Sequence, residues 1–266
     1  MQRRGQGSGT VQGQLWSAGA NDWADVQEEQ FMPLYKAGLA RVGLAPGTRL
    51  LDIGCGAGLA CQLAARRGAR ITGLDAAPGM LAIAASRLPE ARFDRGDMQH
   101  LPYGNGIFDV VTGFNAFEYA ADPAAALAEA RRVTRRDGSV LIATWGRPEA
   151  CQSAAYLTAI ARLLPLPRPD ARGTFAFSGA GALEALCTGA GLVPFAAETV
   201  ACPWEYPDLE TLLRGILAAG PHVRARSVVG ESALRDAITA AVGPFARPDG
   251  SYHLANAFRF VIGRAA

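Results

Sequence analysis

The sequence predicts an α/β protein built on a doubly wound, mainly parallel sheet, and three observations carry that reading. Between residues 46 and 146, short apolar runs alternate with amphipathic stretches, the rhythm that right-handed strand–helix–strand crossovers impose. The first run, Leu50-Leu51-Asp52-Ile53, breaks into a glycine-rich turn, Gly54-Cys55-Gly56-Ala57-Gly58. The next two runs are each followed by an acid, Asp75 and then Asp97.

Taken in order, residues 1–10 are basic, Gly-rich and polar with no apolar stretch behind them, and read as a loose tail rather than an export signal. Residues 20–42 place Trp23, Val26, Phe31, Leu34, Tyr35 and Leu39 at helical spacing, with a break expected at Pro33. A strand follows over 49–53, then a helix over 59–67 that Gly68 stops. Strand 70–74 leads to helix 78–87, which carries Pro78 in its first turn. Strands over 91–94 and 108–113 come next. Helix 123–135 ends in basic residues ahead of Asp137-Gly138, as a helix C-terminus prefers. Residues 139–145 make the fifth strand.

After Trp145 the rhythm changes. A helix over 154–164 runs into a Pro-rich loop at 165–169, followed by helix 181–190 and strand 193–202. Helices over 208–219 and 231–242 are separated by Gly220-Pro221, and 253–263 reads as the final strand. No internal repeat is visible. The expected organisation is a tail with lid helices over 1–45, then a core over 46–266 with helical cap insertions at 147–176 and 205–250.

Composition narrows the function classes. Half of the 266 residues are hydrophobic, enough for a substantial core. The formal net charge is only +2, Lys36 is the one lysine, and the arginines are scattered; a nucleic-acid partner would call for a basic stripe. No apolar run approaches the roughly 20 residues that span a bilayer. The cysteines are odd in number (Cys55, Cys61, Cys151, Cys187, Cys202) and form no CxxC pair, which fits reduced thiols in a cytoplasmic protein rather than disulfides or a metal site.

The glycine-rich turn lets backbone adopt positive φ and lets a ligand approach the main chain without a Cβ in the way. A dinucleotide-binding loop has the spacing GxGxxG, its third glycine packing the helix under a pyrophosphate. Here the spacing is GxGxG, and Leu59 stands where that third glycine would be. A carboxylate at the end of the second strand, Asp75, can accept from both ribose hydroxyls. Asp97 can accept from an exocyclic amine such as adenine N6. Either acid alone could equally be a helix cap; the ordered set, each after its own strand, points to a nucleoside.

With these residues in view, the chain resembles the class I S-adenosylmethionine (SAM) methyltransferases, in the small-molecule branch similar to quinone-biosynthesis enzymes. LLDIGCGAG resembles the family's first motif, LDAAPGML its acidic second and GDMQHLPYGNGIFDVV its third, and the likeness continues through FNAFEY and ARRVTRRDGSVLIATWG. The resemblance implies a Rossmann-like seven-stranded sheet whose last strand is antiparallel. It also implies SAM as cofactor, held by Asp52, Gly54, Cys55, Gly56 and Gly58, with the loop glycines beneath the methionine part. Asp75 with Ala76 would hold the ribose; Gly96, Asp97 and Met98 the adenine, with Met80 packing against it; Phe114 and Asn115 would flank the methionine.

Methyl transfer is an in-line displacement at an already activated carbon, so positioning is the main task and a base is required only if the acceptor must lose a proton. Two candidates stand out: Glu118, where the family often has a histidine, and His222. His100 and His253 read as loop and strand-start residues. The acceptor is expected to be a small apolar or aromatic metabolite, enclosed by Trp16, Trp23, Phe31, Tyr35, Tyr119 and Trp145, with Tyr156, Phe175, Trp204 and Tyr206 as further aromatics. Residues 15–35 are expected to form a water-excluding lid. No clustered acids suggest a metal, and a monomer or homodimer is expected. The competing readings are a SAM-fold protein without methyl transfer (a cyclase or binding partner) and a nicotinamide-dependent oxidoreductase.

Overall fold

The computed structural model describes residues 8–166 and 172–265; most of the expected tail and part of the 165–169 loop lie outside them. The chain begins with α1 (Gly9–Ala18) and α2 (Ala20–Asp22), passes through a π turn (Trp23–Gln27) and a 3-10 turn (Glu28–Phe31), and enters α3 (Met32–Arg41). The core alternates as β1 (Arg49–Ile53), α4 (Leu59–Ala65), β2 (Arg70–Asp75), α5 (Pro78–Arg87), β3 (Arg92–Arg95), β4 (Phe108–Phe114), α6 (Pro123–Val133) and β5 (Thr134–Trp145). Then come α7 (Ala154–Leu163), α8 (Ala182–Gly189), β6 (Leu192–Ala201), β7 (Trp204–Tyr206), α9 (Leu209–Leu217), α10 (Gly220–Val229), α11 (Glu231–Val242), β8 (Tyr252–Leu254) and β9 (Ala257–Ala265).

Seven strands form one sheet in the order β3-β2-β1-β4-β5-β9-β6. The first five are parallel; β9 lies antiparallel between β5 and β6. The antiparallel last strand that the family resemblance implies is therefore present. Strand β1 is central: Leu50 pairs with Ile71 of β2 on one side and Val110 of β4 on the other. Its Leu50, Leu51 and Ile53 are at most 1% exposed, each stabilising the fold by about 1.5–3 kcal/mol. Separate apolar clusters cover the two faces of the sheet. The chain runs outward from β1 to β2 and β3, then returns to β4 on the other side. That reversal opens a crevice beyond the C-terminal end of β1, where doubly wound folds bind ligands.

Two expectations change and a third is refined. The stretch 253–263 is not one strand: β8 pairs with β7 in a separate two-stranded ribbon, and buried Asn256 divides it from β9. Asn256 Oδ1 accepts from the Ser153 amide at 3.1 Å, and its Nδ2 donates to the Leu254 carbonyl. The break expected at Pro33 falls just before it: the 3-10 turn ends at Phe31 and Pro33 lies in the first turn of α3, where its missing N–H costs nothing. A helix, α1, begins within the expected tail and runs to Ala18, ahead of the helical spacing that starts at residue 20.

Candidate active site

The turn after β1 is glycine because of both backbone and space. Gly54, Gly56 and Gly58 have φ of 70°, 54° and 86°, a left-handed region costly for residues with a Cβ. A Cβ on Gly54 would lie 2.5 Å from the Ala116 Cβ, and one on Gly58 2.9 Å from the Ala84 Cβ. Gly56 differs: the nearest atoms to a Cβ there are Glu28 Oε1 and Trp23 Nε1 at 3.8 Å, so its open side faces the cavity. Asp75 braces the turn, its Oδ2 accepting from Gly56 N at 2.9 Å and its Oδ1 from Ala77 N at 2.8 Å. Burial raises the Asp75 pKa, and these backbone bonds oppose the rise. Asp52 lies just before the turn, taking a 2.6 Å hydrogen bond from Thr112 Oγ1; burial pushes its carboxyl up to about 7.

One cavity runs from this turn in two directions. Asp52, Gly54, Cys55, Gly56, Asp75 and Ala76 line its floor, with Met80, Gly96, Asp97 and Met98 at one end. Phe114, Asn115, Tyr119 and Trp145 line the β4–β5 side; Trp16, Trp23, Phe31 and Tyr35 close it from the N-terminal segment. The other end is bounded by Tyr156, Trp204 and His222. Two sequence candidates lie outside. Gly58 packs beneath the turn as the N-cap of α4. Glu118 stands behind the wall, where burial pushes its carboxyl to about 8 and its Oε1 has no hydrogen-bond partner among the described residues.

Asn115 adopts φ 48°, strain of the kind that concentrates at functional sites; its Oδ1 is buried without a described partner. His222 is 7% exposed, and burial lowers its pKa. Its Nδ1 lies 2.6 Å from the Ile216 carbonyl. A carbonyl only accepts, so Nδ1 carries the proton and Nε2 keeps its lone pair. The Tyr156 ring stands edge-on to the imidazole at 5.8 Å. His253 instead pairs with exposed Glu205 on the β7–β8 ribbon.

Several site residues escaped the sequence reading. Glu28 lines the cavity while only 2% exposed. Its Oε1 accepts from Leu59 N at 3.2 Å, and its Oε2 pairs with Arg87 Nη1 at 2.5 Å. Arg87 also donates to the carbonyls of Ala57 and Ala24, each at 2.9 Å. One guanidinium thus joins the glycine turn to the N-terminal segment. Buried Gln27 accepts from the Tyr206 hydroxyl at 2.8 Å, tying the same segment to β7. The available signal was an acid inside an apolar stripe: Glu28 lies at i, i+3 and i+7 with Phe31 and Tyr35.

The site satisfies what a nucleoside sulfonium requires. It has a bare backbone turn whose open Gly56 leaves room over the main chain, acids at successive strand ends, and an unpartnered Asn115 oxygen beside them. Comparison with known proteins agrees. A family model described as a methyltransferase domain matches residues 51–142. The ubiquinone biosynthesis O-methyltransferase of Pseudomonas aeruginosa is 33% identical over 170 residues, covering 58% of this chain and 71% of that enzyme. The chain belongs to the SAM-dependent methyltransferase family. Malonyl-[acyl-carrier protein] O-methyltransferase of Serratia marcescens is 39% identical over 99 residues, 37% of this chain and 39% of the relative. Demethylmenaquinone methyltransferase of Renibacterium salmoninarum is 36% identical over 107 residues, 40% and 45% of the two chains; the match thus spans under half of each of these two methyltransferases. Among solved structures, the YcgJ protein of Bacillus subtilis superposes with TM-score 0.58 at 21% identity, over 90% of this chain and 98% of that one. The [4+2]-cyclase SpnF does so with TM-score 0.57 at 18% identity, over 87% and 80%. Both show the shared methyltransferase fold. The cofactor of the family is SAM, and among the described residues no helix is long and apolar enough to cross a membrane.

Proposed function

We propose that this protein transfers a methyl group from SAM to a small, largely apolar or aromatic acceptor held at the His222 end of the cavity. The observation that carries the reading is the continuity of that cavity, from Asp75 and Asp97 past the glycine turn to an aromatic chamber bounded by Trp204, Tyr156 and His222. SAM, when bound, supplies a methyl group activated by the sulfonium charge. Asp75 holds the ribose hydroxyls, Asp97 receives the adenine amine, and the Gly54 and Gly56 backbone supports the methionine part. Asn115, fixed by its backbone N–H to the Ala143 carbonyl at 3.0 Å, offers to that same part its side-chain oxygen, which has no partner among the described residues.

His222 serves as the base. Its Nδ1 is committed to Ile216, its ring is neutral because burial disfavours the charged form, and its Nε2 takes the proton that a hydroxyl acceptor loses. Glu118 does not line the cavity, so the role considered for it from sequence passes to His222. The N-terminal segment excludes water: Trp23 stacks on Phe31 at 5.7 Å, and Trp16 stands edge-on to Trp23 and Tyr119 at 4.9 and 5.4 Å. All five cysteines are buried free thiols, which supports a reducing, cytoplasmic setting. The test is incubation with isotope-labelled SAM and a panel of phenols, amines and polyketides, with mass spectrometry of the products. A labelled methyl on at least one neutral aromatic, lost in His222→Ala, supports the reading. SAM retained with no transfer across the panel would instead favour a SAM-fold protein of another activity.

A further inference from the structure

We propose that Gln12 of α1 is part of the cofactor site, its side-chain oxygen accepting a hydrogen bond from the exocyclic amine of adenine. The inference rests on the placement of adenine beside Asp97 and extends the site to a helix outside the family's motifs. Helix α1 turns the stripe Gly9, Gln12, Gly13, Trp16 inward, the i, i+3, i+4, i+7 pattern of one helical face.

Two neighbours locate that stripe. The Gly9 amide donates to Asp97 Oδ2 at 3.1 Å, and a Cβ on Gly9 would lie 2.9 Å from the same oxygen. A Cβ on Gly13 would fall 2.2 Å from the carbonyl oxygen of Ala76, the residue after the ribose acid. The helix therefore lies directly over the adenosine end, close enough that only glycine fits at both contacts. Gln12 sits between them and lines the cavity.

Its Oε1 is buried and has no hydrogen-bond partner among the described residues. An unpaired buried acceptor is unfavourable, and a leucine in this stripe would avoid the penalty entirely. A ligand N–H removes it. Asp97 meanwhile already receives backbone amides on both oxygens, Gly9 on Oδ2 and Gln99 on Oδ1 at 2.9 Å. A second acceptor facing the same amine divides the work of recognition. It also links helix and ligand directly, so that adenine binding holds α1 in place.

The test is calorimetric titration of the full chain, wild type and Gln12→Leu, with S-adenosylhomocysteine and with S-inosylhomocysteine, in which an oxygen replaces the amine. Gln12→Leu is expected to weaken S-adenosylhomocysteine binding about tenfold and the inosyl analogue little, so that the preference between them shrinks about tenfold. Equal losses for both ligands would overturn the proposal and make Gln12 a ribose contact or a packing residue, and so would unchanged affinity for S-adenosylhomocysteine. Thermal melting of the ligand-free variants separates recognition from folding, and Gln12→Met serves if the leucine variant does not fold. Failure of the wild type to bind S-adenosylhomocysteine would be a different result, removing the cofactor reading on which the proposal rests.

Discussion

Replacing Arg87 with methionine tests whether a single guanidinium fastens the N-terminal segment over the cofactor turn. The change keeps the aliphatic stem and removes the 2.5 Å pairing with Glu28 and the two 2.9 Å bonds to the carbonyls of Ala57 and Ala24. The Glu28 side chain is only 3% exposed, and stranding a buried charge in this way costs about 3–5 kcal/mol. Two features place the loss at the lower end. The Arg87 side chain is 26% exposed, so solvent already screens part of the pairing. Burial also raises the Glu28 pKa and Arg87 opposes the rise, so losing Arg87 eases proton uptake by the carboxyl and offsets part of the cost. A loss of about 3 kcal/mol lowers the melting temperature of a chain this size by about 6 °C. Adding Glu28→Gln removes the stranded acid while its amide oxygen still accepts from Leu59 N–H, so the double variant should recover about half of the loss. Circular-dichroism melts at pH 7 measure all four proteins. A melting temperature for Arg87→Met within about 1 °C of wild type, or purely additive single and double variants, would refute the clamp.

Three further outcomes follow from the geometry. His222→Gln should lower kcat by about 10²–10³-fold while leaving S-adenosylhomocysteine affinity unchanged, because His222 lies at the acceptor end; an equal loss of cofactor affinity by titration would contradict that placement. Gly56→Ala places a side chain at φ 54° on the open side of the turn, and should cost about 1–2 kcal/mol of stability together with most cofactor affinity, both readable in a melt with and without ligand. Glu118→Gln should leave transfer intact and change how stability depends on pH. The folded pKa of Glu118 is raised to about 8, so the wild type's stability from this group is complete below the unfolded carboxyl pKa and is lost as pH rises toward 8. The variant should therefore melt higher than wild type at pH 9, with the advantage gone near pH 4; a constant offset at both would show that the carboxyl does not titrate in this range.

The parts of the site readable in the sequence were those where backbone geometry demands a residue type or where an acid ends a strand. Gly54, Gly56 and Gly58 announce positive φ, and Asp75 and Asp97 sit at strand ends that the apolar runs mark out. Helix α1 was invisible because two positions of its inward face are bare glycines, Gly9 against the Asp97 carboxylate and Gly13 against the Ala76 carbonyl, so no apolar stripe forms. The Arg87–Glu28 clamp joins residues 59 apart in the chain through a tertiary contact that no local pattern encodes. The division of 253–263 depended on Asn256, whose burial against Ser153 accompanies a break in the pairing inside what reads as one extended run. Glu118 was drawn toward the acceptor pocket because it follows β4 closely; the 3-10 turn at Phe117–Tyr119 keeps Tyr119 on the cavity and leaves Glu118 behind it.

The central claim is that one continuous cavity holds SAM at its acidic end and presents the methyl group toward the chamber of His222 and Trp204. A crystal structure of the protein with S-adenosylhomocysteine tests it most directly. The account predicts ribose hydroxyls on Asp75, adenine between Asp97 and Gln12, and the sulfur turned toward the aromatic chamber with α1 closed above. An adenosine bound away from Asp75, or a sulfur facing solvent with the His222 chamber shut off from it, would contradict the account.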